Sequence, residues 1–343
     1  MIYPICVVIF CIFTATKIAS GGERYRATLG TYAPLEFAFV VKDYLGDANF
    51  LADLQSIERG YDEAKRANSA LDFNATQIKN VVLIIGESLQ RGHMSLYGYG
   101  KDTTPLLNDL QRRGLLIKFS DTVSCYGATN PALMRILNFS DYESERERPW
   151  FESLSIIDMF ALSGFRTMWI SNQEAFGKFA LSAKSAADRA EKSIFLSTSD
   201  QLDSMRVAHD GALLPIIKEA KKSQRERNFY VVHLMGNHMD YKKRYPEEFD
   251  KFKSDDIALP FTQKQKVALA CCDNSVLYND YVVNEIHRMR TASSSISAIT
   301  ERISMSKTAS SGTTSIPDSP TKFRCFSSLQ KALSPIMRSF GGA

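Results

Sequence analysis

VVLIIGES, residues Val81 to Ser88, is an unbroken apolar run that stops at Gly86-Glu87-Ser88. Apolar side chains in successive positions, with no alternation, predict a parallel strand buried on both faces. Open α/β sheets place their functional groups at the carboxyl ends of such strands. Glu87 stands at that end. On the local sequence alone it is equally a site carboxylate and a residue capping the next turn. The chain continues LQRGHMSLYGYGKDTTPLLNDLQRRG, in which Thr103-Thr104-Pro105 predicts a helix running to about Arg113.

Three more segments repeat the strand, turn and helix rhythm. FSDTVSCYGATNPALMRIL (Phe119 to Leu137) leads a polar turn into a helix. There Thr129 or Asn130 can cap the helix that Pro131 begins. SLSIIDMFALSGFRTMWISNQEAFGKF (Ser153 to Phe179) reads as a helix from Ile156 to Ser163, a glycine turn, and a strand from Arg166 to Ser171. FYVVHLMGNHMDYKKRYPEEFDKF (Phe229 to Phe252) gives a strand from Phe229 to Leu234 that runs into Gly236-Asn237-His238. CCDNSVLYNDYVVNEI (Cys271 to Ile286) resembles the helix that precedes the last core strand in the bacterial enzymes to which the Ile85–Leu110 block is similar. At 44% hydrophobic and 23% charged, the chain has the composition of an ordinary globular protein.

The 26 residues that begin Ile85-Gly86-Glu87 and end at Leu110 closely resemble the opening block of bacterial lipid A and related phosphoethanolamine transferases. These are metal enzymes of the alkaline-phosphatase and sulfatase superfamily. The resemblance extends from Val81 to about Arg290. It implies a three-layer α/β/α domain with a mostly parallel sheet, lacking its last part here. It implies that Glu87 is a metal ligand and that Thr129 is both nucleophile and metal ligand. The cofactor implied is zinc, with another divalent cation such as Mn2+ as the alternative. A bound cation lowers the pKa of a hydroxyl, and a helix N-terminus favours an incoming phosphate. His238 matches the second histidine of the family's His-x-x-Gly-Ser-His element, which in the family contacts the phosphoryl group of the substrate or a second zinc. His233 matches the first and reads as a packed structural histidine. Asn172, Gln173 and Lys178 would stand on the rim, although a solvated surface lysine is the plainer reading of Lys178.

The implied reaction moves phosphoethanolamine from phosphatidylethanolamine to lipid A or another envelope glycan through a phospho-threonine. The rivals are a transferase of another headgroup, such as glycerophosphate, and a non-catalytic remnant. Type I sulfatase chemistry is excluded. Its formylglycine motif needs Pro and Arg two and four residues after the Cys, where Cys125 is followed by Gly127 and Thr129. Gly86-Glu87-Ser88-Leu89-Gln90 lacks the last glycine of an α/β-hydrolase elbow. No zinc-finger spacing links the six cysteines, and Cys125 could pair with Cys271 or Cys272 or stay reduced.

Ile2 to Ala15, IYPICVVIFCIFTA, is apolar and predicts a membrane helix over residues 1–18 rather than a cleaved signal. A helical linker over 19–76 and the catalytic domain over 77–290 follow. Lys17, Arg24 and Arg26 alone would hold the following chain in the cytoplasm. The resemblance instead implies a domain on the periplasmic face of a bacterial inner membrane, behind what would be the last of the family's several helices. No nucleic-acid partner is expected. After His287 eight Lys/Arg face only Glu301 and Asp318, so the residues before that tail carry 34 basic and 36 acidic groups, a net of −2.

The family pattern stops near Arg290. Its next strand ends Ser-Asp-His-Gly, whose Asp and His complete the metal site. Here residues 291–343 are Ser/Thr-rich, basic and without period, as in a disordered tail. With permitted codons, ISAITERISM (Ile296 to Met305) read from its third base gives LSDHGEDIY. A change of reading frame close to Arg290 is therefore predicted. Sequencing the gene tests it: the shifted frame should encode Ser-Asp-His-Gly there, and any other peptide in that frame overturns the idea.

Overall fold

The computed structural model describes residues 51–69, 78–120, 126, 129–140, 143–175, 180–197, 208–238 and 240–289, and the strand 295–300. Two compact units divide at Ser56. The described part of the first, 51–56, is helical. In the second, residues 57–67 are helical (α1). The predicted membrane segment and most of the predicted linker lie outside the described residues. Among those described, no helix is long and apolar enough to cross a membrane.

The second unit is built on five parallel strands: β1 (Asn80–Ile85), β2 (Arg166–Glu174), β3 (Lys192–Ser197), β4 (Asn228–His233) and β5 (Ser295–Thr300). Their order in the sheet is β3-β2-β4-β1-β5. Central β1 pairs with β4 from Asn80↔Asn228 to Ile85↔His233. Successive residues enter opposite cores. Val81, Leu83, Ile85, Phe229 and Val231 face one layer, and Ile84, Tyr230 and Val232 face the other. The first layer contains helices α3 (Thr129–Ile136), α4 (Ile156–Leu162) and α5 (Leu181–Asp188). The second contains α2 (Pro105–Arg112), α6 (Leu213–Lys222) and α7 (Gln263–Arg288). The result is the expected three-layer α/β arrangement.

One difference concerns the tail. Residues 291–343 carry no periodic signal, yet Ser295–Thr300 extend along β1 in parallel, from Asn80↔Ser295 to Ile85↔Thr300. An open edge of β1 offers unpaired N–H and C=O groups to any extended segment nearby. SISAIT, with three β-branched residues in six, can take that conformation. The rest of the tail lies outside the described residues.

Helix α7 fixes the loops at the carboxyl edge of the sheet. Thr262 and Gln265 close a capping box at its start. Its middle then buries polar groups rather than an apolar stripe: Asp273, Asn274, Ser275 and Asp280 are all inaccessible to solvent or nearly so. Each holds a different segment. Asp273 binds His93 Nδ1 at 2.9 Å, Lys101 Nζ at 2.8 Å and the Tyr99 hydroxyl at 3.1 Å. Asn274 Oδ1 accepts the amides of Lys251 and Phe252. Ser275 Oγ accepts Asn237 Nδ2. Asp280 accepts the amides of Leu106 and Leu107 in the first turn of α2, where a carboxylate also favours the helix dipole. Burial pushes the Asp280 carboxyl up to about 6 even so. Replacing Asp273 by Ala strands two cations and a phenol around a cavity. Asp273→Ala is expected to lower stability by about 2–4 kcal/mol, measured by urea denaturation. A loss under about 1 kcal/mol would show that the loop 93–101 does not depend on it.

Candidate active site

Glu87 lies two residues beyond β1 and is 3% exposed. Ser88, next to it, has φ 53°, in the left-handed region that a non-glycine residue adopts only when its surroundings impose it. The carboxylate is bonded on both oxygens. Ser88 Oγ donates to Oε1 at 2.9 Å, and Thr129 Oγ1 donates to Oε2 at 3.0 Å. Thr129 is the first residue of α3, so its hydroxyl sits where the helix presents free amides and the positive end of its dipole. Asn130 points elsewhere and accepts Ser182 Oγ at 2.7 Å, tying α3 to α5. The two residues that the sequence could assign to capping thus do different work.

The turn after β4 holds Glu87 from behind. Leu234 N–H donates to Ile85 O at 2.9 Å and Asn237 N–H to Glu87 O at 2.8 Å. Gly236 has φ 54°, and a Cβ there would lie 2.7 Å from Glu87 O and 2.8 Å from Glu87 N. Only glycine allows that approach. His238 follows directly, half-buried, on the same turn, and its carbonyl accepts Arg244 Nε at 3.1 Å. The structure therefore joins Glu87 and Thr129 side chain to side chain and places His238 on the turn after β4, which bonds to the Glu87 backbone.

The rim residues prove to be supports. Asn172 is fully buried and donates through Nδ2 to Asp210 Oδ1 at 2.8 Å. Gln173 Nε2 donates to Leu234 O at 2.7 Å. Lys178 and Cys125 lie outside the described residues. Cys271 and Cys272 are free thiols. Asp210 has no counterpart in the sequence argument: an aspartate ahead of a helix reads as an ordinary first-turn acid. In the fold it is buried and accepts the consecutive amides of Met235 and Gly236, each at 2.8 Å. Desolvation raises its pKa above the usual carboxylate range, opposed by those bonds and Asn172.

Zinc sites take three or four protein ligands. Among the described residues no three His, Cys, Asp or Glu side chains gather closely enough to hold a metal. Among the described residues Glu87 and Thr129 offer two ligand side chains, a carboxylate and a neutral hydroxyl, and two side chains fall short of a zinc site.

Two histidines respond to pH in opposite directions. His233, at the end of β4, is 1% exposed, has no hydrogen-bond partner on either nitrogen among the described residues, and meets Trp169 edge to face at 5.7 Å. It is a packed histidine, and burial lowers its pKa to about 4. The bond to Asp273 raises that of His93 to about 10. An unfolded histidine titrates near 6.5. The contribution of neutral His233 is complete above about pH 6.5 and is lost as pH falls towards 4. That of charged His93 is complete below about 6.5 and is lost as pH rises towards 10. Each limb amounts to at most about 1.4 kcal/mol per pH unit. Unfolding free energies measured from pH 5 to 9 should show His233→Gln flattening the acid limb and His93→Gln the alkaline one. Unchanged slopes would contradict both assignments.

The family model described as Sulfatase matches residues 79–289. The chain is 30% identical over 215 residues to phosphoethanolamine transferase EptC of Escherichia coli strain K12, covering 62% of this chain and 37% of that protein. It is 32% identical over 236 residues to phosphoethanolamine transferase CptA of Salmonella typhimurium strain LT2, covering 67% and 38%. It therefore spans less than two fifths of the length of these relatives. The C-terminal periplasmic domain of EcEptC from Escherichia coli, solved in complex with Zn, superposes with a TM-score of 0.57 at 29% identity, over 63% of this chain and 60% of that one. The soluble domain of lipooligosaccharide phosphoethanolamine transferase A from Neisseria meningitidis shares the fold, with a TM-score of 0.51 at 21% identity over 67% and 70%.

Proposed function

The chain belongs to the sulfatase family, and on that premise we propose that its second unit is the catalytic domain of a phosphoethanolamine transferase with Thr129 as nucleophile. The contact between Thr129 Oγ1 and Glu87 Oε2, at the head of α3, carries this reading. Thr129 Oγ1 bonds to the phosphorus of phosphatidylethanolamine while the phosphorus bond to the diacylglycerol oxygen breaks. The hydroxyl proton passes to Glu87, which already accepts its hydrogen bond, and on to the departing diacylglycerol oxygen, so that diacylglycerol leaves neutral. The α3 amides face the phosphoryl oxygens, and His238 helps to hold them. A hydroxyl of lipid A or another envelope glycan then takes the phosphoethanolamine and restores Thr129. If zinc or Mn2+ binds, Glu87 and Thr129 would be two of its ligands, and the others would have to come from outside the described residues.

The phosphoethanolamine transferases among the relatives support the headgroup, and the periplasmic domain of EcEptC supports a domain facing the periplasm at a bacterial inner membrane. A second reading is a non-catalytic remnant, motivated by a sequence after Arg290 that does not contain the family's Ser-Asp-His-Gly.

Incubating the purified chain with phosphatidylethanolamine vesicles, with and without added Zn2+, tests both. Mass spectrometry of the peptide containing Thr129 should show a phosphoethanolamine adduct. Thr129→Ala should abolish it, and Glu87→Gln should slow it by about 100-fold or more. A glycerophosphate adduct from phosphatidylglycerol would move the reading to another headgroup. No adduct, together with no stoichiometric zinc in titration, would establish the remnant.

A further inference from the structure

We infer that Asp210 is a positioning residue of this site, acting on Glu87 through the turn after β4. The inference rests on the transferase reading for its consequence but on geometry for its substance. Asp210 is 5% exposed, and both of its oxygens are engaged. Oδ1 accepts Asn172 Nδ2 from the end of β2 and the Met235 amide from the end of β4, and Oδ2 accepts the Gly236 amide. One carboxylate thus gathers two consecutive main-chain N–H groups, an arrangement that suits an anion. Its own backbone is fixed from α7, because the next amide, Gly211 N–H, donates to the Tyr278 hydroxyl at 2.9 Å. Neighbouring Arg244 adds favourable charge.

The chain of contact from Asp210 to the reacting group is short. Gly236 leaves no room for a Cβ against the backbone of Glu87, and Asn237 N–H bonds Glu87 O. Any rotation of residues 235–237 therefore displaces the Glu87 main chain. Glu87 Oε2 is the atom that meets Thr129 Oγ1. A carboxylate is required. An asparagine has one acceptor oxygen, and its amide would oppose either Gly236 N–H or the Met235 and Asn172 donors. Displacement of a reacting group by about an ångström can cost up to about 100-fold in rate.

The test is Asp210→Asn in the full chain, with Asp210→Glu as a second variant that keeps the charge but moves it by one methylene. Two measurements are made on each. Hydrogen–deuterium exchange is followed in peptides covering 86–90, 234–238 and α6. Thr129 labelling is followed against phosphatidylethanolamine concentration. Asp210→Asn should raise exchange at 86–90 and 234–238 by about 10-fold or more while α6 stays protected. The maximal labelling rate should fall by 10- to 100-fold, with the half-saturating lipid concentration within about 2-fold of the unaltered chain. Asp210→Glu should change both in the same direction, less. Faster exchange confined to 208–222, or unchanged exchange at 86–90, overturns the inference. So does an unchanged maximal rate in a chain that labels. If the unaltered chain does not label at all, the transferase reading fails, and the exchange pattern still decides the role of Asp210. If Asp210→Asn does not fold, the exchange pattern of Asp210→Glu decides it by the same criteria.

Discussion

Two main-chain segments, Ile85–Glu87 and Leu234–Asn237, lie so close that one position of the second must be glycine. That approach couples the exits of the two central strands. Leu234 continues the hydrogen bonding of β4 past the sheet, and Asn237 closes on the Glu87 carbonyl. Gly236 between them has no side chain to hold it off. The carboxylate at the end of β1 is therefore not free to follow the solvent. Its backbone is set by β4, and its oxygens are set by Ser88 and Thr129. The left-handed Ser88 is consistent with a turn imposed by its surroundings.

The surrounding loops bury Leu89, Met94, Leu96 and Tyr245 in the second core and are also tied to the polar row of α7. Buried carboxylates and amides are stable only when every lone pair and proton is matched. Asp273, Asn274, Ser275 and Asp280 satisfy this by taking backbone amides and charged side chains from four separate segments. Such contacts are directional, so they fix where each loop stands as well as holding it down. Asp158 plays the same part on the opposite layer, where it is fully buried and receives Arg189 and Lys65, joining α1 and α5 to α4.

Much of this was legible beforehand. The doubly buried strands were visible because VVLIIG and FYVVHL lack the alternation of a half-exposed sheet. The helices at Pro105, Thr129 and Ile156 were visible from proline and hydroxyl residues at their starts. Helix α7 begins at Gln263, eight residues ahead of the expected Cys271, and other strand and helix ends shifted by a few residues, as at β2, which runs on to Glu174 rather than stopping at Ser171. Tertiary bonding at the sheet edge decides that limit, where Gln173 reaches across to Leu234. Glu87 and Thr129 were legible through resemblance alone, since local sequence left each of them a capping role.

The layer architecture and the residue near which the family pattern ends were readable from the sequence alone. Those follow from patterning and motif, which are local properties. Tertiary structure alone decided that Asn172 supports the site from beneath, that His233 is packed without a partner among the described residues, and that Asp210 gathers the turn behind Glu87. Asp210 stands 123 residues from Glu87 in sequence, and the amides it binds belong to a third segment. No spacing rule can reveal such a contact, because it exists only once β2, β4 and the start of α6 have been brought to one edge of the sheet. At the lateral edge of the sheet, likewise, β5 pairs with β1 along its whole length by meeting backbone groups, although residues 291–343 carry no periodic pattern.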